Sequence, residues 1–253
     1  MPKNKIHEYD FLLFHEGNIT DEQQDYICEL SGFDIDFMDI RHLYVAWNEV
    51  NPYEKPVGRA GNHLTKATIR DIDTGIPWST GYRNMCHFYA IDCINILLAK
   101  NYSHALRIDE DCIVTKGLNF LGDEKLMFKN NLIGTPAMFK ESYQLTNKVL
   151  PRFLKFTGLD FKHNWEQSYF TNSPMVYSNV NFYFLENISK GIVSTAFINK
   201  LKESLIIHRC RAGDAPLLFW LANTKEEVLI ILKNLEYNHI SHRMIVEDGV
   251  VRQ

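Results

Sequence analysis

The sequence predicts an α/β fold in which a mixed, mostly parallel, Rossmann-like sheet is flanked by helices, and three observations carry that reading. A short apolar run, a capped helix and a second apolar run follow one another over residues 9–40, which is β-α-β order. A long amphipathic segment over residues 79–100 feeds directly into an apolar strand over 102–115. That strand delivers three consecutive acids, Asp109, Glu110 and Asp111, and open α/β sheets bind ligands beyond the carboxyl ends of their strands.

Tyr9–Phe14 is apolar and closed by His15-Glu-Gly17, as expected of a buried strand. Thr20-Asp-Glu-Gln23 has capping-box spacing ahead of Tyr26, Ile27 and Leu30, and Gly32 ends that helix. Phe33–Ile40 alternates apolar residues with Asp34 and Asp36, so it reads as a half-buried strand with a solvated acidic face. Residues 44–77 are loop-rich around a short helix at His63–Ile72, and Asp71 and Asp73 precede Gly75 and Pro77 as turn residues. Ser79–Lys100 is the strongest helix, with Met85, Phe88, Tyr89, Cys93, Ile96 and Leu97 on one face. Lys129–Gly134 opens a strand, Tyr143–Phe156 is a helix interrupted at Pro151, and Met175–Phe184 is a strand. Asp214 caps a helix over Pro216–Ala222, whereas Val228–Leu232 is divided between a capping-box helix and a β-branched strand. No repeat, low-complexity segment or linker interrupts the chain, so residues 1–253 are expected to form a single domain.

At 253 residues, with 45% hydrophobic content, the chain can bury a sizeable core. A net charge of −4 offers no field for a phosphate backbone and disfavours nucleic-acid binding. The cysteines (Cys28, Cys86, Cys93, Cys112, Cys210) include no Cys-x-x-Cys and read as buried hydrophobes in a reducing compartment. No apolar run is long enough for a signal core or a transmembrane segment, and a cytoplasmic location is expected. Sequons at Asn18, Asn101 and Asn187 point weakly the other way.

Four clusters could carry chemistry. Asp109 and Asp111 would share a face in extended backbone, and hard ions such as Mn²⁺ or Mg²⁺ prefer such oxygens. Tyr237-Asn-His-Ile-Ser-His242 could complete a divalent site with an imidazole, although a chain with ten histidines has several of purely structural use. Gly213-Asp-Ala-Pro216 is a helix start that could also supply an acid or base. Trp78–Phe88 sets aromatics and Arg83 at a helix N-terminus able to meet an anion, while core packing explains most of its apolar members. The dinucleotide, P-loop, zincin and α/β-hydrolase signatures are absent.

Taken in order, these clusters resemble the fungal α-1,2-mannosyltransferases of glycosyltransferase family 15. Tyr82-Arg83-Asn84-Met85-Cys86-His87-Phe88 looks like the family's Tyr-Arg-His-Met-Cys-Arg-Phe. Arg107-Ile108-Asp109-Glu110-Asp111 looks like its Arg-Val-Glu-Pro-Asp, a variant of the Asp-x-Asp motif. Gly213–Pro216 is similar to its Gly-Asp-Ala-Pro, and Tyr237-Asn238-His239 to its Tyr-His-His. The resemblance implies a GT-A fold, a Mn²⁺ (or Mg²⁺) cofactor, a nucleotide-sugar donor such as GDP-mannose, and a glycan or other hydroxyl acceptor. It implies Asp111, Asp109 and His239 (more than His242) at the metal, Asp109, Tyr82 and Arg83 at the donor, and Asp214 at the catalytic step. Glu166, which no motif places, is the second choice of base.

Two departures stand out. The family's first nucleotide-binding strand lies well before the segment that Tyr9–Phe14 resembles, and only eight residues precede Tyr9 here. Ser173-Pro-Met-Val-Tyr-Ser-Asn179 corresponds to the family's Ser-Asn-Phe-Glu-Ile-Ala-Asn, so Val176 stands at its candidate catalytic Glu. A degenerate GT-A module that binds a glycan or partner and a metal-dependent nucleotidyltransferase are the alternative functions.

Overall fold

A computed structural model of the chain describes residues 9–44, 80–118, 131–140, 144–162, 173–209, 212–224 and 228–252. The helix expected at His63–Ile72, the Asp71/Asp73 turn, Trp78, Glu166 and Cys210 lie outside the described residues. The chain divides into two compact units, Met1–Val45 and Ala46–Gln253.

The first unit is the β-α-β arrangement expected from its sequence: β1 (Phe11–His15), α1 (Asp21–Ser31) and β2 (Ile35–Asp39), with β1 and β2 parallel. The Thr20 hydroxyl accepts from the Gln23 N–H and the Gln23 amide oxygen accepts from the Thr20 N–H at 2.9 Å, so two orphan donors are satisfied reciprocally. Gly32 closes α1 at φ 69°, a conformation that disfavours any side chain.

Among the described residues of the second unit, α2 (Thr80–His87) comes first and passes through a π-helical turn (Phe88–Asp92) into α3 (Cys93–Ala99). Cys86, Phe88, Ile91, Cys93, Ile94 and Leu97 face the interior. Then come β3 (Ala105–Ile108), β4 (Cys112–Lys116), β5 (Asn131–Thr135), β6 (Met138–Lys140), α4 (Gln144–Thr157), β7 (Pro174–Val176) and β8 (Val180–Tyr183). The helices α5 (Leu185–Lys190), α6 (Ile192–Ser204), α7 (Ile206–Arg209) and α8 (Asp214–Leu221) follow, and the strands β9 (Val228–Ile231), β10 (Glu236–His239), β11 (Met244–Glu247) and β12 (Val250–Arg252) end the unit.

One sheet has the order β3-β8-β5-β9 and a second β12-β11-β10-β4, with β6 and β7 paired separately. Besides β1–β2, only β5–β9 runs parallel among the described ladders; β9 settles the divided reading of Val228–Leu232 as a strand. In the second sheet β10, β11 and β12 run antiparallel because tight turns join them, as at Asp248 (φ 50°) and Gly249 (φ 78°), the two-residue turn that matches strand twist, and β4 adds antiparallel to β10 from far back in the chain. A core cluster of Phe182, Phe184, Tyr177, Leu235, Tyr237 and Val246 joins residues of both sheets. Helix α6 buries Ser194, Phe197, Ile198 and Leu201, one helical stripe, whereas α8 is buried nearly all round and packs on β7.

Four local expectations are corrected. The acidic segment is β3, a turn and β4, since the Cys112 N–H closes on the Asp109 carbonyl at 2.9 Å. Residues 175–184 are likewise two strands separated by a turn at Ser178 and Asn179. Pro151 lies inside α4, where burial of Leu150, Phe153 and Leu154 offsets its missing hydrogen bond. Gly213 is the N-cap of α8 and Asp214 its first residue, because the Asp214 carboxylate is turned away to another partner. No described helix is long and apolar enough to cross a membrane.

Candidate active site

The turn after β3 separates the two carboxylates that an extended strand would have aligned. Asp109 points inward. Its Oδ1 accepts from Arg107 Nε at 2.8 Å, and its Oδ2 accepts from Arg107 Nη2 at 3.2 Å and from Asn179 Nδ2 at 2.9 Å. The remaining arm of the Arg107 fork, Nη1, donates to Asp214 Oδ2 at 2.7 Å, and the guanidinium carbon lies 3.4 Å from the centroid of the Tyr89 ring. Arg107 and Asp214 are both buried, so one guanidinium holds the acidic turn against the start of α8. Burial alone would weaken the charge on Arg107, but Asp214 and its other neighbours more than offset this and keep it protonated. Burial also pushes the Asp109 carboxyl upward, with Arg107 opposing it.

Asp111 points the other way, to the end of β10. Its Oδ2 lies 2.9 Å from His239 Nε2 and accepts from the Ser241 hydroxyl, while its carbonyl accepts from the Ile240 N–H at 2.9 Å. Burial acts to raise the Asp111 carboxyl, but the Ser241 hydroxyl and His239 outweigh it and hold it below the usual carboxylate range. The alternation of β10 sets Tyr237 and His239 on the same buried face. The other ring nitrogen of His239, Nδ1, lies 2.9 Å from the Tyr177 hydroxyl, which is also 3.6 Å from Met244 Sδ. Cys112, the register partner of His239 across the β4–β10 ladder, completes a group with Asp111 and His239 whose ligand atoms all lie within 4.8 Å of one another. Burial, reinforced by Asp109 and Asp111, pushes the Cys112 thiol up to about 12.

The structure thus brings Asp111 to His239, and Asp109 to Arg107 and Asp214, as two adjoining clusters on one turn. His242 is exposed, with its ring 4.5 Å from that of His239. Tyr82 is exposed at the surface of α2, but Arg83 is carried into the interior, where Nη1 lies 3.3 Å from the His208 carbonyl. Cys86 on the same helix faces Asp214, and burial, first, and that carboxylate raise its thiol far above the ordinary range. Val176 is fully buried on β7 and offers no polar atom.

Sequence reasoning passed over Tyr177, Asn179, Ser241 and the proximity of Cys112. Only Ser241 carries a local signal, since it lies within the Tyr237–His242 cluster, in the turn just beyond His239.

No protein-family model matches the sequence, and no curated protein matches it. Among solved structures the fold is similar to that of the mannosyltransferase Ktr4p from S. cerevisiae, with a TM-score of 0.65 and 17% identity over 91% of this chain and 62% of that one. The GDP complex of the same protein gives 0.61 and 16%, over 91% and 62%. Core-mannan synthase A (CmsA/Ktr4) from Aspergillus fumigatus, in its Mn/GDP form, gives 0.66 and 15% over 92% and 66%. The chain therefore spans just under two thirds of the length of these structures. At such identity the likeness establishes the fold alone, an α/β fold of the GT-A type.

Proposed function

We propose that the chain is a metal-dependent glycosyltransferase that moves a sugar, mannose from GDP-mannose in the first instance, from a nucleoside diphosphate to a hydroxyl acceptor. The observation that carries this reading is the meeting of Asp111 and His239, which are 128 residues apart in sequence and 2.9 Å apart in space, at a strand end of a GT-A fold. One carboxylate oxygen and one imidazole nitrogen fit a divalent ion, and a diphosphate would supply further oxygens to it. When bound, Mn²⁺ or Mg²⁺ would neutralise the charge that grows on the departing diphosphate.

The chain's own residues have separable tasks in this reading. Asp111 and His239 hold the ion, with Ser241 orienting the Asp111 carboxylate. Asp109, fixed by Arg107 and Asn179, stiffens the turn on which Asp111 stands and would act on the donor from there. Tyr82 offers an exposed ring for the base or sugar, and Arg83 supports that helix from within. Asp214 shares Arg107 with the Asp109 turn and is the acid assigned to the catalytic step, and Asp214→Asn tests it: a fall in kcat with donor affinity and stability retained assigns it to the reacting atoms. Val176 cannot form a glycosyl intermediate, so a double displacement through that position is ruled out.

Calorimetric titration of the chain with GDP and GDP-mannose, with and without Mn²⁺, tests the function. Metal-dependent binding that Asp111→Asn abolishes without lowering the melting temperature is expected. Nucleotide binding that ignores both the metal and Asp111 would refute the reading, and pyrophosphate release from a nucleoside triphosphate would redirect it to nucleotidyl transfer.

A further inference from the structure

Asp111 and His239 would accept almost any first-row divalent ion, but the third member of their group discriminates. Cys112 and His239 are register partners in the β4–β10 ladder, which stands their side chains on one face of the sheet. The Cys112 sulfur lies 3.8 Å from Asp111 Oδ1, and the three ligand atoms lie within 4.8 Å of one another. Tyr177 engages His239 Nδ1, so Nε2 is the ring nitrogen turned toward the group. A mixed oxygen, nitrogen and sulfur set is chemically unlike the oxygen-rich surroundings that Mn²⁺ and Mg²⁺ favour.

We propose that this centre takes a thiophilic divalent ion of the zinc class through the Asp111 carboxylate, the Cys112 sulfur and His239 Nε2, with a fourth position open. The proposal rests on the reading that Asp111 and His239 hold a cation, and it assigns the ion. Three protein ligands with one open position is the arrangement zinc adopts where it also binds a substrate oxygen. On binding, the sulfur forms a bond to the ion and its proton leaves to solvent. Mn²⁺, the weakest binder in the divalent series, is held by Asp111 and His239 without the sulfur, so the two ions compete for one place but use different ligand sets.

Co²⁺ is the probe, because a thiolate ligand gives it a near-ultraviolet charge-transfer band that carboxylate and imidazole do not. Titration of the whole chain with Co²⁺ is expected to develop this band together with a tetrahedral visible spectrum, and Cys112→Ser and Cys112→Val are expected to lose it. Zn²⁺ should release bound Mn²⁺, seen as the return of the free-ion electron paramagnetic resonance signal. Both Cys112 variants should lower Zn²⁺ affinity by about tenfold or more, at least the loss that follows removal of an outer-shell partner, and leave Mn²⁺ affinity nearly unchanged. Circular dichroism checks that each variant is folded, and the two replacements differ in polarity so that one unfolded variant does not end the test. Co²⁺ binding without the band, or a Zn²⁺-to-Mn²⁺ preference unchanged in the folded variants, overturns the zinc-class centre and leaves Mn²⁺-dependent GDP binding standing. Failure of every divalent ion to bind overturns both.

Discussion

Removing Arg107 should be among the most disruptive single changes in the second unit. Its guanidinium makes three charge-assisted bonds, at 2.8 and 3.2 Å to Asp109 and 2.7 Å to Asp214, and lies 3.4 Å from the centroid of Tyr89. Arg107→Met keeps much of the side-chain volume but strands two carboxylates whose side chains are only 16% and 7% exposed. Breaking a buried pair in this way costs about 3–5 kcal/mol. For a unit of this size that lowers the melting temperature by roughly 6–20 °C. The cost should shrink on acidification. Burial already raises the Asp109 carboxyl, and loss of Arg107 raises it further, so in the variant stability is retained below the unfolded carboxyl value and lost as pH climbs through the folded one. Urea denaturation of both proteins at pH 5 and pH 7.5 measures this, and the double variant Arg107→Met/Asp214→Asn should recover part of the loss by removing one stranded charge. A penalty below about 1 kcal/mol, or one that grows as pH falls, would refute the assignment of Arg107 as the charge that permits these acids to be buried.

Three further outcomes are expected. Tyr177→Phe removes the partner of His239 Nδ1 and should weaken divalent-ion binding by about tenfold in a calorimetric titration with the fold retained. His208 is fully buried, and burial, followed by its neighbours His87 and Arg83, depresses it to about 4, so it favours folding above its ordinary 6.5 and loses that contribution as pH falls toward 4; His208→Leu should flatten this part of the stability profile. Gly249→Ala meets nothing closer than 3.6 Å, so its penalty is conformational, about 1–2 kcal/mol in chemical denaturation, whereas Gly117→Ala would drive a methyl into the Asn234 carbonyl and cost more.

Local chemistry was legible where the determining residues are neighbours in sequence. The Thr20–Gln23 box and the Gly32 terminus needed only their own spacing, and the structure contains both. The acidic segment was legible as a site but not as a geometry. Two residues' separation predicts a shared face only in extended backbone, and one turn hydrogen bond sends Asp109 to Arg107 and Asp111 to His239. The same limit applies to Asp214, which has the sequence of a cap but finds a stronger partner 107 residues away. Tyr177 and Cys112 were illegible as participants because an aromatic and a thiol in apolar runs read as packing. Only the pairing of β10 with β4 and the approach of the turn after β7 bring them to an imidazole.

The contact between Asp111 and His239 also fixes when, during synthesis, the centre can exist. A ribosome adding about 5–20 residues each second needs roughly 6–26 seconds to make the 128 residues between them, and Asp111 must wait without its imidazole for that time. Closing so long a loop costs roughly 4 kcal/mol of chain entropy, which the β4–β10 ladder must offset as it forms and carries the imidazole of His239 to Asp111. A nascent chain that has reached Leu235 has Asp109 and Asp111 but neither His239 nor Ser241. Ion capture through Asp111 and His239 would therefore begin only after β10 has emerged and paired, which would make it a timer for the completion of this unit.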